Sequence, residues 1–409
     1  MARSPLLHPF ARPVADDFIT IVRGEGAAVF DDTGKRYVDG LASLWYCNAG
    51  HGRPEIVDAV AGQLATLENY NIFDIFTNEP AEAFAAEVAA LSPLPDPRVF
   101  LTCSGSEAVD TALKLARLTF YCAGEPQRQI LVGRGLSYHG TNFGGTAIQG
   151  LPLNQAGWGT LVEQVEQIHH DDLASAEALF DQKGYEIAAI IAEPVIGAGG
   201  VHPSTTDYLL GLRKLCDEHG ALLIFDEVIT GFGRLGTWFA AEHYGVTPDL
   251  ITFAKAATSG YQPLGGVLVG RRVREALEAD DSYILRHGYT YSGHPAACAA
   301  GVANIGVLRD ERLLDRVPHI AEVFGTGFGG LLDDGLVAEV RGTAAIWGLG
   351  MHPDVNALDV RAALLERGVI ARPIGTGTIA FCPPLVIDDD DLELCVTALR
   401  ESLEAVPRR

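Results

Sequence analysis

Between residues 55 and 300 the chain keeps returning to short runs that are apolar from end to end. They are Val99–Leu101, Ile130–Val132, Ile187–Ala192, Ala221–Phe225, Ile251–Ala254 and Gly266–Val269. A strand with one face in water alternates polar and apolar residues, so a run without alternation must be covered on both faces. The segments between the runs can supply that cover. From Thr206 to His219, Leu209, Leu212, Leu215 and Cys216 recur at helical spacing, and Gly220 follows as a stop. Strand and helix alternating in this way predict an α/β fold around a mainly parallel sheet.

The two ends read differently. Residues 18–42 alternate about the turn signal Asp31-Asp32-Thr33-Gly34 and predict a small antiparallel hairpin. Beyond residue 300 come an amphipathic helix, strands over Val337–Arg341 and Ala344–Gly348, and a last helix near 388–404. We therefore divide the chain into 1–54, a large domain over 55–300, and 301–409, with the two ends combining into one smaller domain.

A net charge of −23 argues against nucleic acid or an anionic membrane as partner. The seven cysteines form no Cys-x-x-Cys pair and fall mostly in apolar stretches, the pattern of reduced thiols in a cytoplasmic protein. No apolar run reaches membrane-spanning length, and the prolines near the start leave no signal-peptide core.

Chemistry concentrates where the apolar runs end. The chain has five lysines, and only Lys255 closes a strand-like run. Burial there disfavours the ammonium form, a cost that makes sense if the amine is used, as in a Schiff base. Asp226 ends the preceding run, where a carboxylate can keep a heteroaromatic nitrogen protonated, with Val228 packed on the ring. Ser104-Gly105-Ser106-Glu107 fits a capping box at a helix start, and Gly105 and Ser106 there suit an anion. Ser137-Tyr138-His139-Gly140 follows a strand and should lie at the carboxyl edge of the sheet, where an aromatic ring can stack on a planar ligand. Gly231-Phe232-Gly233-Arg234-Leu235-Gly236 matches a dinucleotide fingerprint, but five residues separate it from its strand, which argues against that use. His169-His170-Asp171-Asp172 lacks a third ligand at metal spacing and is read as a solvated loop, with no metal assigned.

In order along the chain, these pieces resemble the class III (omega) aminotransferases, pyridoxal-phosphate enzymes of fold type I. The matching pieces are Ser104–Ala108, Tyr138–Gly140, Ala192–Pro194, Phe225–Val228, Gly231–Arg234, Ala254–Ala256 and Thr290–Pro295. His8–Phe10, Leu44-Trp45, Tyr70–Phe73 and Arg372 ahead of Pro383–Val386 point to the amine:pyruvate and omega-amino acid:pyruvate subgroup. The resemblance implies a seven-stranded, mainly parallel sheet in the large domain and a small α+β domain from both termini. It implies that Lys255 binds pyridoxal 5′-phosphate covalently and moves a proton, and that Asp226 pairs with the ring nitrogen. Tyr138 and Val228 would sandwich the ring, with His139 and Glu193 completing its surroundings. Gly105 and Ser106 would hold the phosphate, joined by Thr290 from a neighbouring subunit. A homodimer is then the smallest active unit, and a tetramer is compatible with it. Phe10, Trp45 and Phe73 would line an apolar pocket, and Arg372 would bind a substrate carboxylate.

The implied activity moves an amino group from an amine or omega-amino acid to pyruvate or another keto or aldehyde acceptor. A same-fold aminomutase, racemase or decarboxylase is one alternative, and a binding or regulatory protein that keeps the fold without catalysis is the other, against which Lys255 argues. The chain departs from the pattern in three places, one of them an abbreviated small domain around 350–360. An acidic residue is missing after Gly375, and the stretch after Gly150 is short and lacks a Pro-Tyr-rich segment near the substrate entrance. A shortened entrance would admit a bulky amine or a ketone carried on a larger molecule, including a peptide.

Overall fold

The protein is described from a computed structural model covering residues 5–408. At its centre is a seven-stranded sheet made of β1 (Arg98–Thr102), β2 (Ile130–Arg134), β3 (Val165–Ile168), β4 (Ile187–Ala192), β5 (Leu222–Asp226), β6 (Leu250–Phe253) and β7 (Gly265–Val269). The spatial order is β1-β7-β6-β5-β4-β2-β3. The strands are parallel except β7, which runs antiparallel to both neighbours. All six expected strands form, within one or two residues of the predicted limits. β4 is buried at every position, as a strand covered on both faces must be. The seventh strand that the resemblance implies is β3, whose position no apolar run marked, because it lies at the sheet edge and its Val-Glu-Gln-Ile sequence carries too little apolar character.

Helices close both faces. The helix Thr206–His219 buries Leu209, Leu212, Leu215 and Cys216 and stops at Gly220, as its spacing predicts. The 18-residue helix α1 (Gly105–Cys122) lies on the other face and buries Ala108, Val109, Ala112 and Leu113. No described helix is long and apolar enough to cross a membrane.

The expected N-terminal hairpin is a three-stranded meander, Ile21–Glu25, Ala28–Asp31 and Arg36–Asp39. A strand from the far end, Val369–Ile370, pairs parallel to Arg36–Asp39. The C-terminal hairpin forms two residues later than predicted, as Glu339–Thr343 and Ile346–Gly350. Its turn is Ala344-Ala345, with Ala344 in the left-handed region (φ 52°) and no Gly or Asn to mark it. The last helix spans Asp389–Ala405.

The Gly231–Gly236 fingerprint opens no helix. Arg234 is fully buried and its guanidinium bonds Ala345 O, Pro383 O and Asn48 Oδ1, tying this turn to both chain ends. A turn whose centre is a buried arginine fixed to backbone carbonyls is structural. His169 and His170 contact Asp171 at 2.8 and 3.5 Å, so Asp171 does stand beside both rings, on a surface loop.

Candidate active site

Because six strands of the sheet run the same way, their carboxyl ends face one side of the molecule, and that edge carries the chemistry. Asp226 is the last residue of β5, Lys255 lies two residues past β6, and Glu193 follows β4 directly. Tyr138 and His139 lie in the loop after β2, and Gly105 and Ser106 begin α1 just beyond β1. All of these residues line one cavity of about 380 Å³, together with Val228. The sequence reading brought Tyr138, His139, Glu193, Val228, Gly105, Ser106, Asp226 and Lys255 together, and the structure places them so.

Lys255 adopts φ 48°, a left-handed conformation that costs energy in a non-glycine residue. Its side chain lines the cavity. Burial lowers its pKa below the usual lysine range, opposed by the nearby carboxylates of Asp226 and Glu193. Asp226 is buried and held from three sides. His139 Nδ1 lies 2.7 Å from Oδ2, while Val228 N and Thr252 Oγ1 each donate to Oδ1 at 3.1 Å. Thr252 stands opposite Asp226 in the β5–β6 ladder, so strand register delivers that hydroxyl. Glu193 accepts from Tyr138 N at 2.8 Å and Gly197 N at 3.1 Å. Burial pushes its pKa up to about 7 even so.

The start of α1 is built for an anion. Ser104 Oγ accepts from Glu107 N, while the Glu107 carboxylate accepts from Cys103 N, one residue earlier than a capping box would have it. The N–H groups of Gly105 and Ser106 have no acceptor among the described residues. Close approach explains two glycines here. A Cβ on Gly105 would sit 2.8 and 3.1 Å from the two methyls of Val228, and one on Gly140 (φ 91°) would sit 2.5 Å from Ser106 Oγ.

These features fit pyridoxal phosphate. Two free N–H groups at a helix start suit its phosphate, and Tyr138 and Val228, which line the same cavity, suit a planar ring. A fixed carboxylate suits the ring nitrogen, and the Lys255 amine suits its aldehyde. His139 Nε2 is a buried polar atom with no partner among the described residues.

The expected substrate residues are placed less uniformly. Arg372 begins the strand Arg372–Ile374, with its guanidinium 5.3 Å from the Trp45 ring centroid. No carboxylate among the described residues pairs with it, and burial lowers its pKa, countered by Tyr138. Trp45 is buried, Phe10 lines a second cavity beside the first, and Trp45, Arg372, Phe73 and Thr290 line neither one. Phe73 instead packs over Gly288, next to the exposed turn holding Thr290. Three further cavity residues, Tyr46, Cys103 and Gln262, belong to no motif and were missed. Thr252 had a signal, as a lone hydroxyl inside a buried strand.

The model of the aminotransferase class-III family matches residues 10–403. An omega-aminotransferase of Caulobacter vibrioides is 37% identical over 400 residues, covering 91% of this chain and 90% of its own. A beta-alanine–pyruvate aminotransferase of Pseudomonas aeruginosa is 36% identical over 414 residues, covering 94% of this chain and 92% of its own. Among solved structures, the omega transaminase from Pseudomonas jessenii in complex with PMP superposes with a TM-score of 0.92 at 29% identity, over 98% of this chain and 96% of that one.

Proposed function

The chain belongs to the class III aminotransferases, which are pyridoxal-phosphate-dependent enzymes, and from that premise we propose that it moves an amino group from an amine or omega-amino acid to pyruvate or a related carbonyl acceptor. The convergence of Lys255, Asp226, Tyr138, Val228, Gly105 and Ser106 on one cavity carries this reading. When bound, the cofactor supplies an aldehyde that exchanges amines and a ring that accepts electrons from the reacting carbon.

Each residue then has a task set by its position. Gly105 and Ser106 bind phosphate through backbone N–H groups reinforced by the α1 dipole. Tyr138 and Val228 fix the ring plane. Asp226, held by His139, Thr252 and Val228 N, accepts the ring N–H and keeps it charged. Lys255 would hold the cofactor through its amine and, once released, would move the proton at the reacting carbon. Its lowered pKa keeps more of the amine neutral at working pH, as both tasks need. Arg372, without an internal acid, is free to pair with the carboxylate of pyruvate or of an omega-amino acid.

Thr290 and Phe73 share a surface away from their own cavity, which supports their delivery into the site of a second copy and hence a homodimer. Exposed Tyr70, Ile75, Phe76, Ile284 and Tyr291 make the same region apolar enough to associate. The pairing of Val369–Ile370 with Arg36–Asp39 supports one small domain from 1–54 and 301–409 beside a large domain over 55–300. Seven unpaired cysteines suit a reducing, cytoplasmic setting.

The test is direct. Purified protein should be yellow, lose colour with a short amine donor, and regain it with pyruvate while alanine accumulates. Cofactor-loaded protein that keeps its colour while it isomerises or decarboxylates amino substrates, with no alanine formed, would instead indicate a racemase, aminomutase or decarboxylase.

A further inference from the structure

A second cavity of about 630 Å³ adjoins the reaction cavity of about 380 Å³, and the two share Tyr138 and Gly140. The smaller chamber contains the phosphate cradle and must also hold the cofactor. Room for a large group on the reacting carbon therefore lies on the far side of Tyr138. Phe10, Phe143, Leu153, Trp158 and Leu161 form the apolar part of that wall, and no charged side chain among the described residues lines it, although the chain carries 83 charged residues (30 basic, 53 acidic).

The wall is fixed. Gln155 Nε2 bonds the carbonyls of Thr146, Ala147 and Gln149, Trp158 Nε1 bonds Asn154 O at 2.9 Å, and Asn154 Nδ2 bonds Gln149 Oε1 at 3.0 Å. Hydrogen bonds that anchor Asn154, Gln155 and Trp158 (65% exposed), beside Leu153 (92% exposed), leave a preformed apolar trough, the usual character of a ligand site. These residues belong to the short stretch after Gly150.

Resting on the aminotransferase reading, we propose that this trough receives the body of the substrate. The natural donor or acceptor is an amine or ketone whose reacting carbon carries an extended, uncharged, mainly apolar substituent larger than a single aromatic ring. Continuity with the reaction cavity through Tyr138 and Gly140 singles out the substrate as occupant.

The test uses holoenzyme and pyruvate with primary amines of increasing length. Matched compounds carry the same amine on an alkyl chain, on two aryl rings or on an uncharged peptide, and so distinguish the source of the body. Specificity (kcat/KM) should rise about fourfold per added methylene, the equivalent of ~0.8 kcal/mol each, until the trough is filled. Leu153→Asp and Trp158→Ala should each lower the ratio of long-amine to propylamine specificity at least tenfold. If propylamine reacts but specificity falls with length, or if neither variant moves the ratio, the trough does not bind substrate. Long amines refused while both variants weaken self-association would assign it to a second copy and overturn the proposal. No reaction with any amine would overturn the aminotransferase reading itself.

Discussion

Gly105→Ala tests the phosphate-and-ring cradle through one added methyl. Carbon atoms in good contact stand about 3.5–4.0 Å apart, and this methyl would meet Val228 Cγ1 at 2.8 Å and Cγ2 at 3.1 Å. Either the α1 terminus retreats or Val228 moves toward the space the cofactor ring needs. Overpacking of this size costs about 1–3 kcal/mol. Gly105 is not in a left-handed conformation, so the alanine brings no backbone strain, and its helix propensity returns up to about 1 kcal/mol to the apoprotein. Apoprotein Tm should therefore change little, while the cofactor dissociation constant rises about 5- to 150-fold, measured by absorbance titration of apoenzyme. Val228→Ala alone should weaken cofactor binding through lost ring packing. Combined with Gly105→Ala it should restore at least about 1 kcal/mol relative to the sum of the two, because the clash is gone. A cofactor affinity within twofold of wild type in Gly105→Ala, or strict additivity in the pair, would refute this account of the cradle.

Asp226→Asn should keep the cofactor but slow turnover by about 10²–10³-fold, since a neutral amide cannot hold the ring nitrogen charged; stopped-flow bleaching at an unchanged rate would contradict this. Glu193 and Glu227 both sit in the interior with pKa values pushed up from 4.5 to about 7 by burial. An acid the fold keeps protonated sheds its proton on unfolding once the pH passes its value in water. Each therefore removes stability as pH rises from about 4.5 to about 7, about 3 kcal/mol in total, and nothing more above that. Urea melts of the apoprotein should show Glu193→Gln losing about half as much stability across that window as wild type, and an unchanged slope would rule Glu193 out. Arg372→Gln should cut specificity for beta-alanine about 10- to 100-fold while sparing propylamine, the loss expected for one charge-assisted pair; equal losses for both donors would deny it a carboxylate-binding role.

The sheet was legible because burial on both faces leaves an unmistakable sequence trace. Ile187–Ala192 could hardly be anything but a central strand, whereas Val165–Ile168, half exposed at the edge, left no such trace. The hairpin near 344 was placed two residues early because its turn uses alanines where glycine or asparagine would have marked it. At the site, Lys255 and Asp226 were legible because a charge at the end of an apolar run is costly without a use. Thr252 was legible in principle, but Tyr46 and Gln262 reach the cavity only through tertiary folding. The trough beyond Tyr138 joins residues from positions 9 to 161, and no periodicity in the sequence brings Phe10 beside Trp158. Only the absence of residues after Gly150 hinted at the open space there.

The central claim is that one lysine of five, aimed from the end of β6, bonds covalently to the cofactor opposite Asp226. Borohydride reduction of the yellow protein, followed by proteolysis and mass spectrometry, tests it most directly. The account predicts a single cofactor-modified peptide, carrying Lys255. Modification at Lys35, Lys114, Lys183 or Lys214 instead, or at none of the five, would contradict it.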